Sequence, residues 1–156
     1  MAEHANETSG IRFPPPLIYA GLFALGYVLH RLVPVRLMSS GPVRVVGWVF
    51  VAGALILLFG AAVLFRQAGT TPNPTKPTTA LVVRGPYRFT RNPMYVALAA
   101  LYLGLTLLVN DVWPLVLLPV VLALVQWRVI AREEAYLERK FGDQYRAYKA
   151  RVRRWI

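Results

Sequence analysis

Val45-Val46-Gly47-Trp48-Val49-Phe50-Val51-Ala52-Gly53-Ala54-Leu55-Ile56-Leu57-Leu58-Phe59-Gly60-Ala61-Ala62-Val63-Leu64-Phe65 is a run of twenty-one residues without a charge, bracketed by Arg44 and Arg66. At ~1.5 Å of rise per residue, a helix of this length crosses a hydrocarbon core of ~30 Å. It reads as a transmembrane helix, with Gly47, Gly53 and Gly60 permitting close packing against a neighbouring helix.

Three more apolar blocks flank it. The first runs from Leu17 to about Val33 after the stiff Pro14-Pro15-Pro16. It is slightly short for a span, with His30 and Arg31 placed at the interface, the arginine stem snorkelling outward. The third runs from Tyr95 to Val109. The fourth begins at Trp113-Pro114 and ends near Ile130. Asn110-Asp111 leaves room only for a tight turn, so blocks three and four form an antiparallel helical hairpin with Trp113 in the aromatic belt at its tip. The expected fold is an all-α integral membrane protein of four transmembrane helices. Residues 1–156 form one domain, with spans at about 17–33, 45–65, 95–109 and 113–130.

Composition agrees. The chain is 56% hydrophobic, with a mean hydropathy of +0.46, both high for a water-soluble domain. It lacks cysteine, which excludes disulfides and thiolate chemistry. Its two histidines, His4 and His30, are isolated, so no metal site is expected. Residues 1–12 are polar and read as a frayed tail, without the basic start of a signal peptide.

The formal charge of +11 is distributed by side. With four spans, the N-terminus, residues 66–92 and the C-terminal tail share one face, and they hold fifteen of the eighteen Lys and Arg residues. The positive-inside rule places that face in the cytoplasm of a multi-pass cell-membrane protein. Anionic lipid headgroups, rather than nucleic acid, are the partners this basic excess meets.

The connections differ in character. Ser39-Ser40-Gly41-Pro42 is a turn signal. Residues 70–79 carry Pro72, Pro74 and Pro77 and cannot form a regular helix. Beyond Arg128 a charged helix continues out of the bilayer to a bend at Gly142. Tyr145, Tyr148, Val152, Trp155 and Ile156 then recur with the spacing of an amphipathic helix lying on the membrane.

Arg84-Gly85-Pro86-Tyr87-Arg88-Phe89-Thr90-Arg91-Asn92-Pro93-Met94-Tyr95 is the most concentrated polar stretch, a sharply turned segment at the start of an apolar helix. Every carboxylate (Glu3, Glu7, Asp111, Glu133, Glu134, Glu138 and Asp143) lies outside the expected spans. A proton-coupled exporter usually keeps an acid within the bilayer, so transport is the weaker alternative, together with a non-catalytic helical membrane protein.

Leu81-Val82-x-x-Gly85-Pro86-Tyr87-x-x-x-Arg91-Asn92-Pro93-Met94-Tyr95, followed by Glu133-Glu134-x-x-Leu137-x-x-x-Phe141-Gly142-x-x-Tyr145-x-x-Tyr148, resembles the isoprenylcysteine carboxyl methyltransferase and phospholipid methyltransferase superfamily. The resemblance covers residues 79–152. It implies an integral-membrane methyltransferase that uses S-adenosylmethionine without a Rossmann fold, and no G-x-G-x-x-G is present. It further implies cofactor contacts from Thr79, Ala80, Leu81 and Val82, from Tyr87, from Asn92, Pro93, Met94 and Tyr95, and from Glu133. Asn92 stands where prenylcysteine enzymes have histidine. Their substrate-carboxylate arginine, four residues before the glutamate, falls on Val129. Arg128, one residue earlier and about 100° around a regular helix, is the nearest candidate, and a prenylcysteine substrate is not favoured.

The chemistry of the residues agrees with such a cofactor. Glu133 can pair with its α-ammonium. Arg91 or Asn92, with the free N–H groups of the helix start, can hold its carboxylate. Tyr87 or Tyr95 can cover the adenine. A ring face near the sulfonium is favourable by ~0.5–2 kcal/mol. Glu134 and Tyr95 are both candidates for taking a proton from the acceptor, which is expected to be a lipophilic or amphiphilic small molecule. Arg84 and Arg88 read as anchors to lipid phosphates.

Overall fold

A computed structural model describes residues 8–11, 14–38, 41–73 and 76–156. Among these the chain is helical and no strand is formed. Helix α1 is Pro15–Leu32, α2 Pro42–Gln67, α3 Pro93–Val109, α4 Val112–Val125, α5 Ala131–Phe141 and α6 Asp143–Arg151. A 3-10 turn covers Gly85–Arg88, and a π turn, Gln126–Ile130, joins α4 to α5 without a break.

Prolines set three of the starts. Pro15, Pro42 and Pro93 each occupy the first turn, where a missing N–H costs nothing. The hairpin tip closes through Asn110, left-handed at φ 54°, and through Asp111, whose side chain accepts a 3.1 Å hydrogen bond from the Trp113 N–H. The tip is tied to the 33–38 connector: Trp113 Nε1 donates to the Val33 carbonyl at 2.7 Å, and Asn110 Nδ2 donates to that of Met38 at 2.8 Å. His30, which the sequence reading left at the interface without a partner, has Nδ1 3.3 Å from Asp111 Oδ1.

Two helices are long and apolar enough to cross a membrane: Pro42–Gln67, and Val112–Phe141 taken as one continuous helix. Only 17% and 28% of their most apolar windows are buried within the protein. Their apolar faces therefore point outward, unlike the core helix of a water-soluble protein. Helices α1 and α3 are shorter, and α4 keeps its apolar character up to Ile130.

Helix α2 packs along α3, and α1 packs along α4. The first pair approaches closely because Gly47 faces Gly104: a Cβ at Gly104 would lie 2.9 Å from the Gly47 carbonyl oxygen and 3.0 Å from the Val51 nitrogen. Gly53 and Gly60, read from the sequence as packing positions too, meet nothing within 4 Å, because they turn to the outer face. Gly104→Ala should therefore push two backbones apart and cost about 1–3 kcal/mol. Gly53→Ala should leave the melting temperature in detergent unchanged or slightly raised.

Two expectations for the chain ends are corrected. Ser9 and Ile11 are buried, and Ile11 packs in a cluster with Tyr19, Tyr95 and Val129, so this part of the expected tail belongs to the core. Residues 1–7 and Arg12 lie outside the described residues, as do Ser39, Ser40, Pro74 and Thr75 of the expected connectors. In α6 the tyrosines turn inward. Tyr145 and Tyr148 are buried, and the Tyr148 hydroxyl donates to the Tyr87 carbonyl at 2.7 Å. The spacing that suggested a membrane-surface helix serves the protein's own loop instead.

Candidate functional site

The end of the bundle at which α1 and α3 begin and α2 ends encloses a cavity of about 280 Å³. Its walls come from residues 71–73, 78 and 80–82 of the loop after α2, the 3-10 turn, the first turns of α3, and the facing sides of α5 and α6. The loop is held from both ends. Thr79 N–H donates to Thr70 Oγ1 and Thr79 Oγ1 to the Gly69 carbonyl, both at 2.9 Å, while Thr78 N–H donates to the Tyr136 hydroxyl at 3.0 Å.

Of the residues singled out from the sequence, Ala80, Leu81, Val82, Tyr87 and Met94 line the cavity, as do Arg91, Asn92, Tyr95, Glu133 and Glu134. Thr79 and Pro93 do not. Thr79 spends its hydroxyl on the loop, and Pro93 is the buried first residue of α3. Arg128 is not brought to the cavity either. It lines a groove on the other flank of α4, and Val129 beside it is buried. Gln126–Ile130 is a π turn, so the 100° offset expected for a regular helix does not apply there, and nearness in sequence to the family position does not bring Arg128 to the cavity.

Within the cavity the polar groups form two sets. In the first, the Tyr95 hydroxyl donates to Glu133 Oε2 at 2.7 Å. Burial raises the Glu133 carboxyl above its ordinary range; the Tyr95 hydrogen bond opposes this, and the neighbouring Glu134 charge adds to it. A negative charge on Glu133 is thus costly, and a bound cation would relieve that cost. Burial also pushes the Tyr87 phenol up, as does the Glu133 charge, so Tyr87 presents a neutral ring. That ring sits edge-on to Phe65, with centroids 5.6 Å apart.

The second set is an ion cluster. Glu134 is buried, Arg154 Nε lies 3.1 Å from both of its oxygens, and Arg91 Nη2 lies 3.3 Å from Oε1. Arg91 is itself only 9% exposed in its side chain, yet its Nε and Nη1 are buried without a hydrogen-bond partner. Such unmatched donors are uncommon in a folded interior. They match an anionic group placed in the cavity.

Sequence reasoning missed the C-terminal segment. Arg91 N–H donates to the Arg153 carbonyl at 2.9 Å, and Asn92 Nδ2 and Thr90 Oγ1 donate to that of Arg154 at 2.9 and 3.1 Å. Trp155 Nε1 donates to Gln126 Oε1 at 2.8 Å. The tail therefore ties the motif around Asn92 to the π turn at Gln126 and, through Arg154 and Glu134, to the first turn of α5. A signal existed: two adjacent glutamates at a membrane border require counter-ions, and the basic tail is one supply of them.

Among the described residues no group of His, Cys, Asp or Glu could hold a metal ion. Fold and cavity together define a helical protein with two helices of membrane-spanning length and a cavity lined by charged groups at one end. Residues 42–144 match the family model described as phospholipid methyltransferase, and the chain belongs to that family. This agrees with the resemblance carried by the two motif blocks, and the family implies a methyltransferase acting on lipid-like substrates. A Haemophilus influenzae protein described only as uncharacterized is 48% identical over 64 residues, which is 40% of this chain and all of that protein.

Proposed function

We propose that the protein is a multi-pass membrane methyltransferase that binds S-adenosylmethionine in the 280 Å³ cavity and methylates a lipophilic or amphiphilic acceptor. The observation that carries this reading is the presence, in one cavity, of the Glu133 carboxylate and the buried, unmatched donors of Arg91. An α-amino acid group carries the complementary pair of charges. Four spans, with the cavity on the cytoplasmic side, suit the fifteen basic residues that the sequence assigns to the side of the 66–92 connection.

Glu133 holds the ammonium and Arg91 the carboxylate, with Asn92 fixed beside them by its hydrogen bond to the tail. Val82, Met94 and Leu98 supply apolar wall, and Tyr87 a ring, for the adenine. When bound, the cofactor supplies an electrophilic methyl group on a sulfonium. The residues contribute orientation and exclusion of water. Phe65 and Pro14–Pro16 form the apolar side on which a lipophilic acceptor is received. Tyr95, oriented by Glu133, is the proton-handling candidate. Glu134, with guanidinium donors on both oxygens, is assigned to positioning.

Calorimetric titration with S-adenosylhomocysteine tests the reading; a folded, monodisperse sample that takes up none would refute it. Glu133→Gln adds a pH signature. Because the Glu133 carboxyl titrates above its ordinary range, wild-type affinity should rise as pH climbs through that elevated pKa and the carboxylate forms. The glutamine variant should bind about tenfold or more weakly, with a flat acid limb. An unchanged acid limb in the variant would move the ammonium contact elsewhere.

A further inference from the structure

On the flank of α4 away from the cavity runs an open groove of about 720 Å³. Its walls are Ile11, Leu17 and Ile18 on one side and Leu124 and Val129 on the other, and Arg128 and Arg132 line it as well. Both arginines are exposed, and neither has an ion-pair or hydrogen-bond partner among the described residues. They stand where the apolar part of the α4–α5 helix gives way to its charged part. Trp127, 71% exposed, marks the same level, which is where tryptophan settles at a bilayer surface. Leu17 and Leu124 are exposed below it.

We infer that this groove holds one anionic phospholipid of the surrounding bilayer. Arg128 and Arg132 take the headgroup phosphate, and the Leu17–Ile18 and Leu124 walls take the upper acyl chain. Charge complementarity selects the occupant. Two free guanidiniums beside apolar wall at headgroup depth fit a phosphate that carries hydrocarbon. A free phosphate would leave the apolar walls uncovered, and a hydrocarbon without charge would leave the arginines unmatched. The first turn of α1 separates this groove from the cavity: Pro14–Pro16 line the cavity, and Leu17 and Ile18 line the groove. The lipid is therefore a second ligand, and its binding does not depend on which cofactor the cavity takes.

Native mass spectrometry of the full chain in detergent micelles tests the assignment, with phosphatidylglycerol and phosphatidylcholine of matched acyl chains and with glycerol phosphate. The expected result is one retained phosphatidylglycerol per chain, favoured over phosphatidylcholine by roughly tenfold or more, and no retained glycerol phosphate. Arg128→Gln/Arg132→Gln should abolish the preference, and Arg128→Lys/Arg132→Lys should keep most of it. Helical circular dichroism and monodisperse elution certify both variants as folded. Equal retention of the two lipids, or a preference that survives in the glutamine variant, overturns the inference. Retention of glycerol phosphate alone would also overturn it, replacing the lipid with a free anion.

Discussion

Arg91→Met is expected to weaken S-adenosylhomocysteine binding by about a hundredfold while moving the melting temperature of the ligand-free protein little. A charge-assisted hydrogen-bond pair that is lost on truncation is worth ~3 kcal/mol, which is a factor of about a hundred in affinity. The small effect on stability follows from the same geometry. Arg91 Nε and Nη1 are buried without partners, a standing cost of ~1–3 kcal/mol each. Removing them offsets what is lost with the 3.3 Å contact to Glu134, which keeps Arg154. Arg91→Lys should fall between, because an ammonium restores the charge without the fork. Arg36→Ala, at the exposed opposite end, should leave affinity unchanged. Calorimetry and thermal melting on the same samples separate the outcomes. If affinity and stability collapse together, Arg91 is structural and the carboxylate contact lies elsewhere.

That prediction joins a residue the sequence exposed to a geometry it could not. The apolar blocks were legible because a twenty-one-residue uncharged run has few other uses, and proline and Asn-Asp punctuation located the helix starts and the hairpin tip. The motif around Asn92 and the glutamate pair were legible as chemistry because they break an apolar background. Partner choice was not. Glu134 could be read as a base from its neighbours, yet both of its oxygens face Arg154, twenty residues along the chain. Arg128 was only the nearest candidate, about 100° off on a regular helix, and the π turn at Gln126–Ile130, which no residue pattern announced, leaves it on a different groove. Tyr145 and Tyr148 had the spacing of a membrane-facing stripe, and only tertiary packing shows them turned onto the Tyr87 loop. Periodicity identifies an apolar face; it does not say whether lipid or protein covers it.

Glu134→Ala should be the most damaging single change, lowering stability by about 3–5 kcal/mol, because it leaves two cations sharing a mostly buried site without their counter-ion. The failure should start at the tail. With Arg91 and Arg154 repelling each other, the bonds from Thr90, Arg91 and Asn92 to Arg153 and Arg154 are the ones strained. Hydrogen exchange should therefore quicken at residues 152–155 and at Arg91 before it does in α2 or α4. Cofactor affinity should fall at least tenfold with it, since Arg91 and Asn92 lose the strap that positions them. The double variant Glu134→Gln/Arg154→Met decides what Glu134 is for. The repulsion from Arg154 is then gone and the new amide oxygen can still accept from Arg91, so stability and S-adenosylhomocysteine binding should return in part. If Glu134 only positions Arg91 and the tail, methyl transfer returns as well, with its pH profile unchanged. If Glu134 instead accepts the acceptor's proton, the double variant folds, binds and stays inactive. That result would move the base from Tyr95 to Glu134 while leaving the cofactor assignment intact.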